Sequence, residues 1–145
     1  MNLKNYTSSV PVFRTINNIE QSIASFGATH IAKEYGPNGI VTAVQFMILR
    51  DGKSHIIKLP ANPDAVFLVM RKQFPSRGIQ QLKEQSQRTA WKLMQDWVEV
   101  QLSLIQTNQV DALQVFLPYV WDGQQTYYEY LKGGNFKQLT EGKPS

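Results

Sequence analysis

No cysteine occurs among the 145 residues, which excludes a disulfide framework, a thiolate zinc site and a cysteine nucleophile together, and points to a reducing compartment. Long apolar runs are missing as well. The opening Met-Asn-Leu-Lys-Asn-Tyr-Thr has no signal-peptide core, and nothing approaches the roughly 20 apolar residues that span a bilayer. A cytoplasmic protein with no membrane contact is expected. Histidine is scarce: only His30 and His55 are present, with neither a helical His-x-x-x-His spacing nor a serine elbow beside them. Glycines are scattered at what read as element ends; no Gly-x-Gly-x-x-Gly occurs, and Gly52-Lys53-Ser54 lacks the glycine five positions earlier that a phosphate-cradling loop requires, Met47 standing there. Asp96 and Glu99 stand three apart on a helical pattern, but no other acid points at them, and their expected use is solvation of a helix face or pairing with Lys92, four residues before Asp96. No catalytic residue, metal ligand or cofactor is assigned, and the chain is expected not to be an enzyme.

What is present is ordinary globular composition, 42% hydrophobic and 18% charged, with length enough for one core. A formal net charge of +4 favours polyanionic partners.

The periodicity predicts an α+β domain: a helix, a three-stranded antiparallel meander and a helix, followed by a long helix and short C-terminal helices. Residues 1–14 read as an N-terminal arm or edge strand because of Pro11, residues 15–134 as the single domain, and residues 135–145 as a tail. Ile16, Ile19, Ile23 and Phe26 recur at helical spacing between a Thr15 cap and a Gly27 stop. Strands follow at 28–35, 40–49 and 54–59, rich in β-branched and aromatic residues and separated by Gly36-Pro-Asn-Gly39 and Asp51-Gly52. Asn62 and Pro63 open the next helix. Its residues 65–70 are apolar on nearly every side, which predicts cover on more than one face.

Residues 71–78 are the most basic and loop-like stretch and read as a mobile loop. Beyond it a helix over 79–106 carries two apolar stripes, one of Ala90, Leu93, Trp97, Val100 and Leu104, the other of Trp91, Met94, Val98 and Ile105. Thr107-Asn108 is expected to cap a short helix over 110–117, and residues 119–125 to form a turn-bearing connection. Thr126 is expected to cap a last helical turn that ends at Gly133-Gly134.

Two constellations are candidates for function. Arg71, Lys72, Arg77, Lys83, Arg88 and Lys92 fall in one stretch and can form a basic ridge for nucleic-acid phosphates. Lys33, Lys53 and Lys58 on the sheet can extend it, and Tyr35 can stack on a base. Trp121, Tyr127, Tyr128 and Tyr130 crowd a segment too short to bury them, which suggests docking onto the domain or onto a protein partner, including a second copy of the chain.

The order helix, meander, helix resembles the double-stranded-RNA-binding domain and, more loosely, the core of single-strand annealing proteins. The segments Ile57-Lys-Leu-Pro-Ala-Asn62, Ala90-Trp-Lys-Leu-Met-Gln-Asp-Trp-Val-Glu-Val-Gln-Leu-Ser-Leu-Ile105 and Phe116-Leu-Pro-Tyr119 look similar to uncharacterised small proteins of phages and prophages. The resemblance implies nucleic-acid handling or an interaction with a host protein.

Overall fold

A computed structural model describes residues 2–140. The end of the expected tail, residues 141–145, lies outside the described residues, as does Met1. The fold is α+β: α1 (Val12–Phe26), β1 (Ile31–Tyr35), β2 (Val41–Arg50), β3 (Lys53–Pro60), α2 (Pro63–Gln73), α3 (Ile79–Gln106), α4 (Ala112–Phe116), a 3₁₀ turn at Leu117–Tyr119, β4 (Val120–Trp121), α5 (Tyr127–Gly133) and α6 (Lys137–Thr140). No helix among the described residues is long and apolar enough to cross a membrane.

The sheet is antiparallel in the order β1-β2-β3-β4, so the meander gains a fourth strand. Asp51 and Gly52 both take positive φ, 53° and 76°, which matches the twist a two-residue hairpin requires. Register puts Val44, Phe46, Ile57 and Leu59 on one face, and these residues are buried. Against that face lie Ile16, Ile19 and Ile23 of α1, Trp91 and Val98 of α3, and Phe116 of α4. Phe116 meets Phe46 edge-on at 5.3 Å and Trp97 at 5.9 Å, so α4 closes the core between sheet and long helix.

Several expectations are corrected. α1 starts at Val12 with Pro11 as its N-cap, since proline supplies the helical φ and has no N–H to lose. Thr15 is not the cap but a buried residue whose hydroxyl donates to the Pro11 carbonyl at 3.4 Å. The edge-strand reading of the N-terminus therefore fails. α2 is not covered on two sides: it packs on α3, only Met70 is buried, and Leu68 and Val69 are 61% and 42% exposed. Of the two α3 stripes, Trp91, Met94, Val98 and Ile105 join the core. The other stripe is split: Ala90 is buried and Trp97 packs against the core, whereas Val100 is 56% exposed. Asp111, not Thr107-Asn108, caps α4 through a capping box.

Candidate functional site

The chain before α1 builds one side of the basic region. Residues 2–10 form a strap along α3: Thr89 donates to the Asn5 carbonyl at 2.9 Å, and Gln85 and Arg88 donate to the Ser8 carbonyl at 3.0 and 3.1 Å. Asn5, at φ 64°, turns its side-chain amide onto Asp96 at 2.9 Å. Lys4 and Lys92 reach the same carboxylate at 3.2 and 3.4 Å. Partial burial by itself raises the Asp96 pKa, but the Asn5 and Lys4 hydrogen bonds and the Lys92 charge outweigh it and hold the carboxyl below its ordinary value.

This strap divides the predicted ridge. Arg88 and Lys92 are half-buried and engaged, Arg88 by Ser8 and Gln85, Lys92 by Asp96. Lys83 does not share their side: five residues along an α-helix turn about 140° away from Arg88. The sheet residues separate as well. Lys33 pairs with Glu20 of α1 at 3.1 Å on the helix-covered side. Lys58 pairs with Glu34 at 3.0 Å on the opposite face and sits 4.0 Å above the Trp121 ring. Lys53 is exposed at the β2–β3 hairpin, and Tyr35 is exposed beyond a bulge at the end of β1. His30 and His55 fall on opposite faces of the sheet by register.

Four of the predicted residues are brought to one end of the α2–α3 hairpin. Arg71 and Lys72 lie in the last turn of α2, Arg77 in the connection 74–78, and Lys83 near the start of α3, all exposed. Among the described residues, no ion pair reaches any of them; the pairs take up Lys4, Lys33, Arg50, Lys58 and Lys92 instead. No acidic residue occurs between Asp64 and Glu84. Arg14, Lys53 and Lys132, likewise without an ion pair among the described residues, stand elsewhere. α3 begins at Gly78 with no side-chain cap and no acid in its first turn, so its free N–H groups and positive dipole end open onto the same corner.

The corner is a pinned turn rather than a loose loop. Phe74 leaves α2 with its N–H on the Met70 carbonyl at 2.8 Å. Its ring stacks on Tyr6 of the strap, with centroids 5.6 Å apart and planes 11° from parallel, and the Arg77 guanidinium carbon sits 4.0 Å over it. Sequence reasoning missed Tyr6 and Phe74. The Phe-Pro-Ser-Arg-Gly string hints at an aromatic anchor in a turn, but nothing local announces Tyr6.

The C-terminal aromatics are divided too. Trp121 docks as part of β4 opposite Ile56. Tyr127, Tyr128 and Tyr130 stay exposed on α5, Tyr127 stacked on Tyr130 at 6.1 Å and Tyr128 tilted against Phe136 at 5.5 Å. No protein-family model, curated protein or solved structure matches the chain.

Proposed function

We propose that the chain is a nucleic-acid-binding protein without catalytic activity, and that its contact surface is the α2–α3 corner rather than the whole ridge. The observation that carries this reading is the selective pairing of charge: Arg71, Lys72, Arg77 and Lys83 are exposed and unpaired beside the free N-terminus of α3, whereas Arg88, Lys92, Lys33 and Lys58 are bound internally. Clustered, unneutralised cations attract phosphates and release the counterions condensed on them. The test is fluorescence anisotropy with labelled oligonucleotides at low salt. Changing Arg71, Lys72, Arg77 and Lys83 together to Gln abolishes binding, and changing Arg14 and Lys53 to Gln leaves most of it. Equal losses in the two variants contradict a localised site.

A second reading rests on a different observation. Met47, Leu49, Ile56 and Trp121 share the sheet face that the helix layer does not cover, and Leu49 is 66% exposed. Such a stripe, with the α5 tyrosines, suits a protein partner. Sedimentation of the wild type and of Ile56→Lys separates self-association by this face from a monomer.

A further inference from the structure

We propose that the corner takes single-stranded nucleic acid, with an unpaired base stacked on the guanidinium of Arg77; this rests on the reading of the corner as a nucleic-acid site. The geometry begins with Phe74, whose ring stacks on Tyr6 at 5.6 Å and 11° and holds the Arg77 guanidinium carbon 4.0 Å from its centroid. Tyr6 is itself held from behind, because the strap that bears it is fixed by Thr89 and Asp96 through Asn5. The result is a supported aromatic column with a guanidinium held against it.

Arg77 is exposed, so a ligand can reach it from solvent. A guanidinium is weakly hydrated and stacks readily on π-faces. Attraction to the Phe74 ring restrains the guanidinium before any ligand arrives, so the entropy that stacking costs is already partly spent. A nucleobase with a free face extends such a column. In a duplex both faces of each base are covered by the neighbouring pairs, and only phosphates remain to be bound. A single strand supplies both groups, a base for Arg77 and flanking phosphates for Arg71, Lys72 and Lys83. The exposed side chains of Leu68, Val69 and Ile79 border the same corner and offer apolar contact to sugars and base edges, which a phosphate-only contact does not use.

The experiment compares one labelled sequence as a single strand and as a duplex, with 2-aminopurine placed in the single strand to report stacking. The wild type binds the single strand more tightly than the duplex at equal salt, and 2-aminopurine emission is quenched on binding. Arg77→Lys keeps the charge and removes the plane. It weakens single-strand binding on the order of tenfold and abolishes the quenching, while duplex binding, which uses the retained charge, falls far less. Duplex binding as tight as single-strand binding overturns the inference. So does an Arg77→Lys variant that keeps affinity and quenching while loss of Arg71, Lys72 and Lys83 weakens binding; that result leaves the corner as a phosphate site. Failure to bind either oligonucleotide, with binding to phosphatidylserine vesicles in their place, overturns this inference and the nucleic-acid reading together.

Discussion

The side-chain amide of Asn5 donates to the carboxylate of Asp96 at 2.9 Å across 91 positions of sequence, and that bond couples the N-terminal strap to the middle of the long helix. Its strength follows the charge of Asp96. Because the folded-state pKa lies below the ordinary value, the contribution of Asp96 to folding is present above the unfolded pKa and is lost as pH falls through the lowered folded value. Tyr6 ring signals in NMR spectra, displaced by the Phe74 stack, are expected to move toward unstructured positions over that acidic range. Asp96→Asn removes this pH dependence. Signals that stay fixed until the whole fold is lost contradict the coupling.

Phe116 is the wedge between sheet and helix layer, buried and in edge contact with Phe46 and Trp97. Phe116→Ala is expected to cost about 3–5 kcal/mol in denaturant unfolding. Val100→Ala, on the exposed side of α3, is expected to stay within about 0.5 kcal/mol. Comparable costs for the two contradict the assignment of the α3 faces.

Trp121 holds the edge of the sheet. Strand β4 is only Val120–Trp121, too short to persist on ladder bonds alone, so its place depends on the partial burial of Trp121 and on Lys58 4.0 Å above its ring. Trp121→Ala is expected to lose about 2 kcal/mol and to speed amide exchange at Ile56 and Ile57. Tyr130→Ala, with its ring 54% exposed, should leave both unchanged.

The capping box of α5 has Thr126 accepting from the Glu129 N–H at 3.2 Å while Glu129 accepts from the Thr126 N–H at 3.0 Å. Thr126→Ala is expected to cost about 1 kcal/mol and to fray α5 first, seen as early loss of exchange protection at Tyr130, whose N–H bonds the Thr126 carbonyl.

Local chemistry made much of this fold legible. The 3.6-residue return of Ile16, Ile19 and Ile23, the Asp51-Gly52 turn, the Asn62-Pro63 start and the Thr126 cap are each written within a few residues. β4 was not legible, because Val120 and Trp121 become a strand only where Ile56 and Ile57 stand beside them. Apolarity misled at α2, where Leu68 and Val69 read as core but face solvent. At the candidate site, helical spacing gave the Lys92–Asp96 pair, but proximity in sequence could not show that Arg88 is taken up by Gln85 and the Ser8 carbonyl, the latter a backbone atom with no signature. The strap is built of side-chain bonds to the Asn5 and Ser8 carbonyls, and only the tolerance of Asn5 for positive φ hints at it.

Four cations are assigned to one corner, and the most direct measurement of their joint action is the salt dependence of single-strand binding. With three or four phosphates neutralised, a plot of log K against log salt is expected to fall with a slope of about −2 to −3. The variant with Arg71, Lys72, Arg77 and Lys83 all changed to Gln should lose that slope together with the affinity. Binding by the wild type that ignores salt, or a slope that survives the four substitutions, would contradict the assignment of the α2–α3 corner.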